Sequence, residues 1–169
     1  VKVTKIKILS IVIILILLTT TFILFYNFPT KIEAEYPAIQ YNEGYPDSVV
    51  QTKIKISGTL NRPIIGNKTF NGQFVIKGYN FSKDYKLIDV VFSNFTKKSM
   101  VGSLGYINNK NGKNDLKIVG IIASSDMEKF TLSFYDSEKE EPNPEKQIKI
   151  SAPSTTYEEG MKIQNELIK

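Results

Sequence analysis

The sequence predicts a mainly β protein: an N-terminal transmembrane helix, then one antiparallel β domain of about seven strands, with a C-terminal helix. Three observations carry that expectation. Residues 8–30 contain no charged side chain. Beyond residue 48, apolar and polar side chains alternate in repeated short stretches, with the period of two that a half-buried strand requires. From residue 155 the apolar spacing becomes helical.

The chain opens VKVTKIKILSIVIILILLTTTFILFYNF. Its uncharged run of 23 residues, Ile8 to Thr30, would reach about 34 Å as a helix, enough to cross a hydrocarbon layer of about 30 Å. From Ile8 to Leu18 every position except Ser10 is apolar, so no polar stripe remains for the wet side of a soluble core helix. The flanks are Lys7 and Ile8 on the inner side, and Phe28 and Lys31 on the outer. Lys2, Lys5 and Lys7 would also serve as the basic start of a secretory signal. Against that alternative, the apolar run exceeds the usual signal length of about 7 to 15 residues, and Ile32-Glu33-Ala34 is a poor cleavage site.

Three lysines precede the span, whereas Lys31 is followed by Glu33, Glu35, Glu43 and Asp47. Positive residues stay inside. Residues 1–7 are therefore expected in the cytoplasm and the C-terminal domain outside, in a single-pass protein of the cell membrane; cleavage would instead leave a secreted domain. Phe22, Phe25, Tyr26 and Phe28 cluster near the outer end, where aromatic rings suit the headgroup layer.

All 17 acidic residues lie beyond the span with 19 of the 22 basic ones, so the basic balance is partly topology. The lysines outside are scattered, without the stripe and interleaved aromatics of a nucleic-acid surface, and no nucleic-acid partner is expected. The chain has neither cysteine nor histidine, which excludes disulfides, thiol catalysis, Ser-His-Asp triads and the usual zinc sites. Asn67, Asn80 and Asn94 each begin an Asn-x-Ser/Thr triplet, read as chance in an Asn-rich chain.

Residues 31–47, KIEAEYPAIQYNEGYPD, place Pro37, Gly44 and Pro46 among acids and tyrosines, and read as a tether. Residues 48–169 suffice for one modest hydrophobic core. Val50, Thr52, Ile54 and Ile56 alternate with Gln51, Lys53 and Lys55, and Phe70, Phe74 and Ile76 share a face with Gly72 and Gly78. Further strands are expected over Leu87 to Ser93, Met100 to Ile107, Leu116 to Ser124, Lys129 to Tyr135 and Gln147 to Ser151. Their spacing suits an antiparallel meander and leaves no room for helical crossovers. Glycines at 58, 72, 78, 102, 105 and 120 favour curvature, as a curved sheet, an open barrel or a small sandwich.

NNKNGKND reads as a hairpin turn, since its Asn-x-Asn-Gly echo of a calcium loop lacks the first ligand and the closing glutamate. Ser125 to Glu128 reads as a tight turn and SEKEEPNPEK as a solvated acidic loop. Thr155 and Thr156, followed by Glu158 and Glu159, mark a helix start. Met161, Ile163, Leu167 and Ile168 then give the helix of about 155–168 an apolar side. A helix this short is marginal alone and should dock on the sheet, with Tyr157 joining the contact.

ISGTL at Ile56 to Leu60, the F-x-G-x-F-x-I-x-G pattern from Phe70 to Gly78, GIIASSDMEKFTL, and ISAPS leading into TYEEGMKIQNELIK together resemble uncharacterised small single-span membrane proteins of Bacillus-like and Clostridium-like bacteria. The resemblance implies an anchor, a β domain and a terminal helix, and lends no catalytic residue.

Surviving enzymatic chemistries are a Ser-Lys pair or two carboxylates. The acids Asp84, Asp89, Asp115, Asp126, Glu128 and Asp136 fall in or beside expected turns, and Ser82-Lys83 and Ser137-Glu138-Lys139 in expected loops. No catalytic, cofactor-binding or metal-ligating residue is assigned. The sequence therefore points to a non-enzymatic binding or accessory module of the cell envelope, with the lipid bilayer and an envelope protein or cell-wall component as partners. The alternative is an inhibitor or immunity-type protein that masks an envelope enzyme, with a carboxylate-based hydrolase as the third reading.

Overall fold

A computed structural model describes residues 2–109, 115–135 and 147–169. Helix α1 (Lys2–Phe25) is followed by β1 (Thr30–Asn42), β2 (Tyr45–Asn61), β3 (Lys68–Ile76), helix α2 (Asn80–Asp84), β4 (Lys86–Leu87), β5 (Val90–Asn94), β6 (Ser99–Asn108), β7 (Asp115–Ser124), β8 (Phe130–Tyr135), β9 (Gln147–Ala152) and helix α3 (Tyr157–Ile168). The acidic loop and the centre of NNKNGKND lie outside the described residues.

Every strand pair is antiparallel. β1 pairs with β2, β2 with β3, β3 with β5, β5 with β6, β6 with β7, β7 with β8 and β8 with β9. β9 then returns to β1, matching Ile39 with Ser151 and Asn42 with Ile148. The sheet thus closes into an up-and-down barrel, where the sequence left an open one among its alternatives. β4 and β5 both lie along β6 and replace the single strand expected over Leu87 to Ser93. Ile88 marks the break, its amide bonded to Gly105 O at 2.8 Å.

An eight-strand ring is just wide enough for side chains to fill, and here they fill it. Ile54, Ile56, Phe74, Leu104, Ile121, Leu132 and Ile150, from six of its strands, are buried in one core. Tyr106 is buried among them and donates its hydroxyl to Phe74 O at 2.6 Å; burial raises its pKa. Met127, in the β7–β8 turn, has φ 63 and is fully buried, so burial of its side chain offsets a left-handed backbone that costs about 1–2 kcal/mol.

The tether expectation for residues 31–47 is corrected: they form β1 and the start of β2. Ile32, Tyr36 and Ala38 face the core while Glu33 and Glu35 face outward, an alternation weakened in sequence by small residues and Pro37. That proline is tolerated because its carbonyl accepts from Ser154 N at 3.0 Å. Its nitrogen, on the same side of the strand, points away from β2, so no ladder bond to β2 is lost.

The N-terminal helix stops short of the end of the uncharged run. α1 ends at Phe25 because Pro29 disfavours helical backbone at the residue before it, and Phe28 turns with φ 41. Four residues connect helix to strand. Over Lys7–Phe25 the helix is long and apolar enough to cross a membrane.

At the other end, α3 begins with Thr156 as N-cap. Its side chain accepts from Glu159 N at 3.3 Å, while the Glu159 carboxylate accepts from the amides of Thr155 and Thr156 at 2.7 and 3.3 Å. These bonds hold Glu159 below the usual carboxylate range, Thr155 contributing most. Gly160, Ile163, Gln164 and Leu167 form the buried face and cover the outer side of β1, β9 and β8. Tyr157 joins this contact as expected, its ring 5.4 Å from that of Tyr41.

Candidate functional site

Because the barrel interior is filled, a binding site has to be sought on its outer wall. One groove there, about 320 Å³ in volume, runs from β1 across β2 to the end of β3 and the start of α2. Strand alternation supplies it. Glu35, Lys53, Lys55 and Val75 occupy outward positions on three neighbouring strands, Lys77 follows directly after β3, and Lys55 lies opposite both Glu35 and Val75. Gly78 (φ 96) then turns the chain, bringing Tyr79, Asn80 and Lys83 to the rim.

The turn is held firmly. Lys77 N donates to Lys53 O at 3.0 Å and Thr52 Oγ1 to Lys77 O at 2.8 Å. Tyr79 donates to Gln40 Oε1 at 2.8 Å. Ser82 is buried, bonded to both the amide and the carbonyl of Ile76 at 2.9 and 3.1 Å, which explains it as the staple of α2 and removes it from consideration as a nucleophile. Sequence reasoning placed Ser82-Lys83 in a loop; five residues are too few to show helical period.

Four lysines meet one carboxylate in this groove. Lys53 Nζ lies 2.9 Å from Glu35 Oε1, and that hydrogen bond, then the Lys53 charge and those of Lys55 and Lys77, keep Glu35 below the usual carboxylate range. One lysine is thereby matched, and the groove retains a formal excess of three positive charges. The ammonium groups are point charges on flexible stems, suited to spaced anions rather than to the planar fork of a single carboxylate. Lys53 and Lys55 were visible in the sequence as alternating strand positions, but only the β2–β3 register and the Gly78 turn add Lys77 and Lys83.

The candidate acids do not assemble. Asp84 ends α2, Asp89 sits in the β4–β5 break, and Asp115 at the start of β7 accepts from the Tyr85 hydroxyl at 2.6 Å. Asp126 and Glu128 share the β7–β8 turn; Asp136 and Ser137-Glu138-Lys139 lie outside the described residues. Among the described residues no group of three Asp or Glu is placed to hold a metal ion. Of the expected anchor flanks, Lys7 and Ile8 lie in α1, Phe28 in the connection, and Lys31 in β1, 3.5 Å from Glu33.

A buried polar cluster lies under α3. The Tyr41 hydroxyl donates to Gln164 Oε1 at 2.9 Å and is 3.0 Å from Ser151 Oγ, which is 2.9 Å from Thr131 Oγ1. Burial pushes the Tyr41 pKa up to about 12. At its edge Lys149 pairs with Glu43. These groups satisfy one another and fasten the helix, so this cluster is structural. Comparison of the chain with protein-family models, curated proteins and solved structures finds no match.

Proposed function

We propose that the protein is a single-pass membrane protein whose barrel stands on the extracytoplasmic side and binds an anionic polymer of the cell envelope along the lysine groove. The observation that carries this reading is the groove itself: two lysines on β2, one in the fixed turn after β3 and one on α2, with one carboxylate among them, on a barrel whose interior is occupied by its own side chains. Support for the location comes from α1, whose apolar length fits a bilayer, and from the lysines that precede it.

Binding of this kind should be saturable and weaken with salt, because the attraction is between exposed charges. Full-length protein in detergent, titrated with a phosphodiester-linked polyol polymer, is expected to bind at low ionic strength. Joint replacement of Lys55, Lys77 and Lys83 by Gln should weaken binding by tenfold or more, taking about 1.4 kcal/mol as one factor of ten. Equal affinity in wild type and triple variant would overturn the groove reading. Turnover of peptidoglycan, ester or glycoside substrates, lost on replacing one Asp or Glu, would overturn the binding reading as a whole.

A further inference from the structure

The end of the barrel nearest α1 carries a second feature. The β2–β3 loop begins at Arg62, whose amide donates to Asn27 O at 2.6 Å and whose Nη2 donates to Thr30 Oγ1 at 2.6 Å. Its root is therefore bonded to the four-residue connection that follows the helix. At its tip Ile64 and Ile65 are 57% and 66% exposed. The β5–β6 turn stands beside it. Lys68 pairs with Phe92, and continuing that register by two residues sets Gly66 level with Asn94, next to Phe95, which is 48% exposed.

Three large apolar side chains thus project together where the helix leaves the span. The helix marks this level with its own aromatics: Phe22 stacks on Tyr26 at 5.2 Å, and Tyr26 meets Phe28 edge-on at 5.0 Å. Aromatic rings favour the headgroup boundary. Arg62, Lys97 and Lys98 are exposed at this end, and Asp126 and Glu128 in the neighbouring β7–β8 turn offset two of those three positive charges.

We infer that this end of the barrel docks on the bilayer, with Ile64, Ile65 and Phe95 inserted into the headgroup boundary of the leaflet from which α1 emerges. The occupant is lipid because the loop is hydrogen-bonded to a residue only two positions beyond the end of the helix, so a helix embedded up to its aromatic residues places the tip at the membrane surface. Apolar insertion supplies the attraction, and with a formal excess of only one positive charge among these groups zwitterionic lipid suffices. The inference rests on the reading of α1 as an embedded span.

The natural chain contains no cysteine, so single cysteines at Ile64, Ile65, Leu15 and Asp47 can each carry an environment-sensitive fluorophore. The full-length protein is placed in phosphatidylcholine nanodiscs and quenched by doxyl-labelled lipid or by aqueous iodide. Labels at Ile64 and Ile65 should be quenched by the lipid and be several-fold less accessible to iodide than the label at Asp47, at the far end of the barrel. A Leu15 label shielded from iodide, with Ile64 and Ile65 labels as accessible as Asp47, would overturn docking while leaving the span intact. A Leu15 label open to iodide would overturn the span, and docking with it. As a check that needs no label in the loop, Ile64→Asp with Ile65→Asp should restore iodide access to a label at Lys97; no change would count against insertion.

Discussion

Gly58 and Gly72 face each other across the β2–β3 ladder, each standing where a side chain would obstruct the barrel wall. A Cβ on Gly58 would lie 2.8 Å from Gly72 Cα and 2.7 Å from the Phe70 ring, and one on Gly72 would collide with the backbone of Ser57 and Gly58. Backbone cannot rotate aside as a flexible side chain does. Gly72→Ala should therefore cost at least the upper end of the about 1–3 kcal/mol seen for overpacking, read as a lower urea midpoint. A midpoint equal to wild type would show that the strands can separate there at no cost. Glu43 makes a pH-dependent contribution. Its hydrogen bond to Lys149, with the Lys149 charge and a bond to Gln164, holds it below the usual carboxylate range. A depressed native pKa stabilises the fold above the unfolded value near about 4.3, and that contribution is lost as pH falls through the native pKa. Glu43→Gln should lower stability at pH 7 by no more than about 1 kcal/mol, since the Glu43 side chain is half-exposed, and the gap from wild type should close as pH falls through the native Glu43 pKa. A gap that persists in acid would assign the loss to packing.

At the level of elements, α3 and the later strands were legible because their patterns are strong. The Thr156 and Glu159 pair names its own cap, and β8 and β9 carry large apolar residues at most inward positions, Phe130, Leu132, Phe134, Ile148 and Ile150. β1 was hidden by Ala34 and Ala38, which hardly register as apolar, and by a proline whose harmlessness depends on the partner opposite its nitrogen. α2 was too short to show a period. The groove was illegible for a related reason: register and turn geometry bring Lys55 beside Lys77 and Lys83, and neither is written in local spacing. α3 should be integral to stability. Ile163→Ala or Leu167→Ala, each at a buried contact with the barrel, should cost about 2–5 kcal/mol, measured by urea denaturation. An unchanged midpoint in both would mean that the helix rests on the sheet without fastening it.

For the whole molecule, the mainly β class, the antiparallel meander and the two terminal helices followed from the sequence, whereas closure did not. Closure depends on β9 finding β1, and β1 lay within the stretch read as a tether. The same correction changes what the protein can do mechanically. With α1 embedded as proposed, a ligand held in the groove would be connected to the bilayer through β1, which only four residues separate from the helix. A pull on that ligand would draw β1 lengthwise past β2, so that the rungs from Thr30↔Leu60 to Gln40↔Val50 share the load in shear, perpendicular hydrogen bonds being strained together. A slack 17-residue leash would have absorbed such a force by uncoiling. The short, stiff joint instead passes tension, and twist about the helix axis, directly into the membrane.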